Sequence, residues 1–360
     1  MAKFTDIFED VTKQGTKIPT NLYLETGMYP IIDQGQSQVS GYTNETEGLF
    51  TDIPAIIFGD HTRIIKYVDT PCFLGADGVK LLKAKDPTAN YKYLYYALCC
   101  ADIPNTGYNR HFKWLKEVDI PEYSKEKQNK IVAQLEKIDN LISLRKQQFS
   151  KLDELVKSRF IELFENTNHP RVALIDLIEE GAGLSYGIVQ PGDDGTGDMG
   201  VLRPVDMVDG RISTASIKYI NRSIGDGFRK TELTGDELLI TVRGTTGITA
   251  LTDSRFRGMN VTRGIAVIRY DRNKIDPVYL NAYLNTQESQ RYIQEHTRGA
   301  TLQQINLSDL RIQEIMLPPM DQQRQLAAFV EQTDKSKLEI QKSLEKLETL
   351  KKALMQKYFG

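Results

Sequence analysis

Cysteine and histidine are scarce in this chain. The three cysteines, Cys72, Cys99 and Cys100, form no Cys-x-x-Cys spacing and cannot all pair, so neither a disulfide framework nor a zinc site is predicted. Four scattered histidines likewise argue against a metal centre. Cys99 and Cys100 close the tyrosine-rich run YKYLYYALCC, where they are predicted to be core residues. No apolar run reaches the length of a membrane span, and MAKFTDIFEDV lacks the apolar region of a signal peptide. The chain is therefore expected to be cytoplasmic, with no membrane partner.

Catalytic motifs are missing as well. There is no Walker A sequence, and Pro-Pro occurs only in LPPM, which is not the polar-Pro-Pro-aromatic element of amino-methyltransferases. Gly195, Gly197 and Gly200 spell G-x-G-x-x-G, but no apolar strand precedes the run and VLRPVDM follows where a helix is needed, so it fails as a dinucleotide site. His61 with Asp60 and Arg63 in FGDHTR, and Arg243 in TVRGTTG, have no nucleophile or second base at a catalytic spacing. The expectation is a non-catalytic protein that holds neither cofactor nor metal.

What the chain does have is an internal duplication. Ile131, Leu135, Asp139, Phe149, Leu152, Leu155, Phe160 and Phe164 fall, after adding 195 (326 − 131), on Leu326, Val330, Asp334, Leu344, Leu347, Leu350, Met355 and Phe359. A period this long implies two pseudo-equivalent halves and not a solenoid, whose units are roughly 20 to 50 residues. Within each copy the apolar spacing alternates four and three. One seam runs Ile131, Leu135, Ile138, Ile142, Arg145, Phe149, Leu152, Val156, Arg159, Leu163; the other runs Leu326, Val330, Thr333, Lys337, Ile340, Leu344, Leu347, Lys351, Leu354, Tyr358. These are coiled-coil seams interrupted by basic residues. Ser124, after Pro121, and Asp321, after Pro318 and Pro319, are the expected N-caps.

Chain closure sets the predicted direction. Compact domains bring their ends together, and parallel helices would force the intervening segment to return along the whole helix, roughly 60 Å at 1.5 Å per residue. The expected fold is therefore α+β: two α/β modules separated by two long antiparallel coiled-coil helices in a pseudo-two-fold, circular arrangement. The predicted boundaries are 1–118, 119–165, 166–317 and 318–360, alternating module and helix.

Both modules read as strands, then a tyrosine-containing helix, then a basic loop. In the first, Tyr29 to Ile32, Ala55 to Phe58, Arg63 to Val68 and Gly78 to Leu82 are predicted strands, and Asn90 to Cys100 is the helix. In the second, Met199 to Leu202, Glu237 to Val242 and Ile265 to Tyr270 are strands, followed by one helix from Pro277 to about His296. Gly107 and Gly299 open the basic loops.

The net charge of −2 gives no global signal for nucleic acid, but the local distribution does. Between Asn166 and Pro318 there are 14 Arg, 3 Lys and 19 acidic residues, so the arginines matter only if they cluster on one face. Ile240 to Arg263 holds Arg243, Arg255, Arg257 and Arg263 against Asp253 alone. Its counterpart NTGYNRHFKWLK holds Arg110, Lys113 and Lys116, with Tyr108, Phe112 and Trp114 as candidates for stacking on bases.

In this order and duplication the chain resembles the specificity subunit of type I restriction-modification systems. The resemblance is carried by YPIIDQGQSQVSGY, AIIFGDHTR, YKYLYYAL and DIPEYSKEKQNKIVAQLEKID in the first half. In the second half it is carried by YGIVQPG, GVLRPVDMVDGRI, GDELLITVRGTTG, YLNAYLNTQESQRYI, RGATLQQINLSDL and LPPMDQQRQLAAFVEQTD. Glu126-Lys127-Gln128 and Asp321-Gln322-Gln323 depart from the usual Glu-Gln pair at the helix start.

The resemblance implies two target-recognition domains, each reading one half of a bipartite double-stranded DNA site. It also implies helices that dock two modification subunits holding S-adenosylmethionine, and restriction subunits supplying the ATP- and Mg-dependent motor and nuclease. Helix length would set the spacer and loops would set the sequence. Because Arg, Gln and Asn match the donor and acceptor pattern of G and A in the major groove, Arg243, Thr245, Arg257, Asn260, Arg263, Gln303 and Gln304 are the candidate base readers of the second domain. In the first they are Gln34, Gln36, Tyr42, His61, Arg63, Asn109, Arg110 and Lys113. Two rivals remain from the residues alone: a coiled-coil scaffold that does not bind DNA, and an enzyme that modifies DNA by itself.

Overall fold

In the computed structural model, residues 1–75, 78–165, 167–192, 197–208 and 210–360 are described. The chain divides into two compact units, 1–147 with 340–360, and 148–339, so both cuts fall inside a long helix.

In the first unit a four-stranded antiparallel sheet has the order Phe8–Asp10, Val79–Ala84, Ala55–Gly59, Ile65–Val68. A three-stranded sheet has the order Gly41–Thr43, Tyr29–Ile32, Phe73–Leu74, and its last two strands are parallel, with Ile31 opposite Phe73. The strand AIIFG is buried along its whole length, as expected of a central strand covered on both faces.

The second unit repeats this plan strand for strand. Its four-stranded antiparallel sheet runs Ser185–Tyr186, Ile265–Ile268, Leu238–Thr241, Thr249–Leu251. Its three-stranded sheet runs Lys218–Ile220, Met199–Leu202, Asn260–Val261, again with the last two parallel, Val201 opposite Asn260.

Each unit is closed at its base by the same device. Ala2–Lys3 pairs with Asp119–Ile120, and Arg171–Ala173 pairs with Glu314–Met316. The tyrosines of the short helices explain their own burial. Tyr93 Oη donates to the carbonyl of Pro121 at 2.6 Å and Tyr279 Oη to that of Met316 at 2.8 Å, acceptors separated by the same 195 residues (316 − 121). A buried phenol without such an acceptor would be costly.

The long helices span Lys125–Phe164 and Met320–Phe359. All ten predicted seam positions on each are buried or half-buried. Their direction is legible inside each unit. In the first, Tyr358 Oη meets Gln134 at 3.0 Å and Lys351 Nζ meets Asp139 at 2.6 Å. In the second, Lys337 Nζ meets Asp153 at 2.5 Å and Arg159 lies over the Phe329 ring at 5.9 Å. Rising numbers on one helix face falling numbers on the other, so the strands of the coil are antiparallel. Two of the basic residues that interrupt the seam, Lys337 and Lys351, are thus met by carboxylates of the facing helix, while Arg159 pairs with Glu162 on its own helix.

Gln128 and Gln323, again 195 apart (323 − 128), serve the fold. Gln128 Nε2 donates to the carbonyl of Tyr123 at 3.0 Å; the buried Gln323 donates to that of Pro318 at 2.8 Å and accepts from the Asp276 amide at 2.8 Å.

Several expectations need correction. Asp321 lies in the first turn and is not the N-cap, since the helix opens at Met320 on the carbonyl of Pro319; Ser124 does cap, accepting from Lys127 N at 3.3 Å. The helix expected from Pro277 to His296 is two, Pro277–Leu284 and Gln287–Glu295, because Thr286 caps the second by accepting from Ser289 N. Arg63 is not in the strand: its φ is +63°, and the strand begins at Ile65. Cys99 is exposed and Cys100 half-buried, leaving Cys72 as the core cysteine. Gly195 lies outside the described residues, but Gly197 has a steric reason to be glycine, since an added Cβ would stand 1.8 Å from the Ile220 carbonyl carbon.

Candidate nucleic-acid interface

Corresponding segments converge in each unit. In the first, the turn after Tyr29–Ile32, the hairpin loop after Ala55–Gly59, Gly78 before the next strand, and the loop at 103–111 meet. The amide of His61 donates to Gln34 Oε1 at 3.2 Å, Thr62 Oγ1 donates to the carbonyl of Gln34 at 2.7 Å, and Asp60 N donates to that of Gly78 at 2.6 Å. Only glycine fits at 78, where φ is +82° and a Cβ would lie 2.7 Å from Gln34 Nε2.

The 103–111 loop is clasped to this hairpin. Asp60, 5% exposed, accepts from the Phe112 amide through Oδ1 at 2.7 Å, and its carbonyl accepts from the His111 amide at 2.8 Å and from His111 Nδ1 at 2.9 Å. His61 Nδ1 is 3.1 Å from the carbonyl of Asn109. A carbonyl can only accept, so Nδ1 of both rings carries the proton. Arg63 Nη1 donates to the carbonyl of Ile103 at 3.0 Å.

A buried lysine fixes the neighbouring turn. Lys66, 3% exposed, donates to the carbonyl of Ser37 at 2.5 Å and lies 3.6 Å from Asp33. Burial lowers its pKa although Asp33 opposes the shift.

In the second unit the hairpin after Leu238–Thr241 carries Arg243, Gly244 and Thr245. Gly244 N donates to the carbonyl of Gln303 at 2.9 Å, Arg243 pairs with Gln304 as an isolated bridge, and Thr246 Oγ1 meets Thr297 Oγ1 at 3.0 Å. Val242 N donates to the carbonyl of Gly264 at 2.8 Å, which brings Arg263 alongside. A Cβ at Gly264 would stand 2.6 Å from Pro204 Cγ, so the turn after Met199–Leu202 also approaches.

Charge pairing sorts the arginines only in part, since among the described residues Arg211, Arg291 and Arg311 lack a carboxylate partner, as the candidates do. Arg171, Arg203, Arg222, Arg229, Arg255, Arg269, Arg272 and Arg298 each lie within 4.0 Å of a carboxylate. Among the described residues, the guanidinium groups of Arg243, Arg257 and Arg263 have no such partner, and neither does that of Arg110. An unpaired surface guanidinium gives up no existing ion pair on meeting an anion or a guanine edge.

The structure thus brings together Gln34, His61, Arg63 and Asn109, with Arg110 exposed on the same loop and Lys113 exposed on the short helix Phe112–Leu115 that follows. It also brings together Arg243, Thr245, Arg263, Gln303 and Gln304. The remaining candidates stand elsewhere. Gln36 is exposed on the turn held by Lys66, and Tyr42 is half-buried in its strand beside Tyr23 and Leu24. Arg257 is exposed on a turn joined to Leu233 through the Gly258 amide. Asn260 is a correction. Its side chain is fully buried, accepting from Thr231 Oγ1 at 2.8 Å and donating to the carbonyl of Phe228 at 3.1 Å, so no atom of it faces solvent. Phe112 and Trp114 are corrected too, since both pack on the core and only Tyr108 of the three aromatics is exposed. The clasp residues Asp60 and His111 were missed as site-builders, because nothing local in FGDHTR or NRHFK signals a partner about 50 residues away.

Comparison with known proteins fits this duplicated geometry. The family described as "Type I restriction modification DNA specificity domain" matches residues 1–154 and again 197–352. The specificity subunit of the type I restriction enzyme EcoBI from Escherichia coli is 24% identical over 180 residues, 49% of this chain and 38% of that protein. The EcoR124I/EcoR124II specificity subunit from the same organism is 28% identical over 148 residues, 36% of this chain and 37% of that protein. The matched stretch therefore spans less than two fifths of either relative. Among solved structures, the S subunit of a type I restriction-modification system from M. genitalium aligns with a TM-score of 0.57 at 17% identity, covering 99% of this chain and 95% of that one. A chain from a structural study of complex assembly in the type I R-M system aligns at 0.53 and 17%, covering 99% and 95%. At that identity these two speak for the fold. With the family match covering both repeats and most of the sequence, the chain belongs to the type I restriction-modification DNA specificity family.

Proposed function

We propose that each unit reads one half of a bipartite double-stranded DNA target, and that the chain does so as the non-catalytic specificity subunit of a cytoplasmic restriction-modification complex. The observation that carries this reading is the pair of equivalent multi-segment sites on an equivalent scaffold, with different side chains at matching places: His61 and Asn109 in one, Arg243 and Gln304 in the other. One scaffold with two sets of presented groups suits two different short sequences. Amide and guanidinium groups are the side chains that pair bidentately with adenine and guanine in the major groove.

In this reading Arg110, Lys113, Thr245 and Gln303 flank the base-reading groups and add backbone or edge contacts, while Gln36, Tyr42 and Arg257, outside the two clusters, contact the backbone further along the duplex. The modification subunits, two per complex, bind along the long helices and bring S-adenosylmethionine. Restriction subunits bring ATP, Mg and the nuclease, and this chain brings neither cofactor nor metal.

The test is co-expression with the cognate modification subunit, followed by mapping of methylated positions across a genome. A motif of two short sequences separated by a fixed unspecified spacer is the expected result. A single contiguous motif, or methylation without sequence preference, would overturn the reading. Methyl transfer by the purified chain alone would overturn its non-catalytic part.

A further inference from the structure

The loop that follows Gly107 ends in a feature that base-edge reading does not use. Tyr108 is 86% exposed, far more than any other aromatic ring of its loop. Its ring nevertheless has a fixed neighbour: it stacks on the His61 imidazole with centroids 4.6 Å apart and planes 8° from parallel. His61 is itself fixed, by its amide on Gln34 and its Nδ1 on the carbonyl of Asn109. Gly107, with φ at +77°, makes the turn that presents the ring. The unpaired Arg110 follows on the same loop.

Two modes of aromatic contact with a duplex can be told apart here. A wedge inserted between base pairs needs both ring faces free, because a base stacks on each side. A platform needs one. Tyr108 has one face on His61 and one open to solvent, which is the platform arrangement. In the second unit a Tyr292–His296 stack, with centroids 4.0 Å apart and planes at 24°, precedes Gly299, but both of its rings are half-buried, and the loop after Gly299 presents only the aliphatic Leu302, 48% exposed.

We propose that the His61–Tyr108 pair is a stacking platform for a single nucleobase displaced from the duplex stack at the first half-site, and that the second half-site has no such platform. This rests on the reading of the chain as a DNA specificity subunit. Displacing a base costs unstacking energy, and the ring returns it.

The test is a cycle between one side chain and one base, with the full chain assembled with its modification subunit. Tyr108→Ala should weaken binding of the intact target by about tenfold or more, the range that base–aromatic stacking supplies. On duplexes carrying a single abasic site, that penalty should disappear at one position of the first half-site and persist at every other position. Tyr108→Phe, which keeps the ring, should bind like the parent. Preference at the second half-site should be unchanged in both variants, which also reports that they are folded. A penalty that persists at all abasic positions, or that is equally large on random duplexes, would overturn the platform while leaving the specificity reading intact. Loss of all sequence preference in the parent protein would instead bring down the reading on which the platform rests.

Discussion

Arg243 and Glu237 lie at the two ends of one short stretch of strand, and their environments are opposite. Arg243 carries an unpaired charge at the rim, whereas Glu237 is fully buried and accepts from the amides of Thr234, Gly235 and Asp236 and from the hydroxyls of Thr234 and Thr252. Burial by itself would push Glu237 up, but these donors outweigh it and hold the carboxyl below its ordinary value of 4.5. A lowered folded value means that the contribution to stability is complete above 4.5 and is lost as the pH falls below it toward the folded value. Acid titration of the unfolding midpoint should therefore show a declining limb below about 4.5 that Glu237→Gln flattens. The same substitution should cost roughly 1–3 kcal/mol at neutral pH, because its NH2 group meets backbone donors. For Arg243→Ala the expected result is a loss of about 1–3 kcal/mol of discrimination at one base pair of the second half-site, read by selection from random duplexes. Uniform weakening on all sequences would make Arg243 a positioning residue.

At the scale of elements, the long helices were the legible part of the sequence, because a seam of alternating four and three spacing repeats through each of them and both copies share it. The short strands were not. Asn260–Val261 is a strand only because Val201 lies opposite, and Asn260 looked like a reader because its buried partner Thr231 is 29 residues away in sequence. The basic loops were legible as basic but not as sites, since the pairing that brings Arg298 to Asp309 and leaves Arg243 free depends on folding. Seam chemistry makes its own prediction. Leu344→Ala should destabilise by roughly 2–4 kcal/mol, since Leu344 is 8% exposed and its loss leaves a cavity. Lys337→Met should be neutral or stabilising by about 1 kcal/mol, because the buried ammonium pays desolvation that its carboxylates, Asp153 at 2.5 Å and Asp334 at 3.6 Å, only partly return. Denaturant midpoints of the two variants check both.

For the molecule as a whole, each long helix begins in one unit and ends in the other, so its length is common to both. Inserting one helical turn into both helices should lengthen the spacer of the recognised DNA and leave both half-sites unchanged. An unchanged spacer in the methylation map would remove the helices from the measurement of distance.

The division of the chain has a kinetic side. The unit 148–339 is one continuous stretch, whereas the other needs residues 340–360 against Ile131, Val132 and Leu135 to complete its core. In synthesis the residues that complete 148–339 are therefore made before those that complete the half encoded first. The half encoded first waits with an apolar face uncovered until the last helical turns emerge, and in that interval it is the part of the nascent chain that a chaperone would hold.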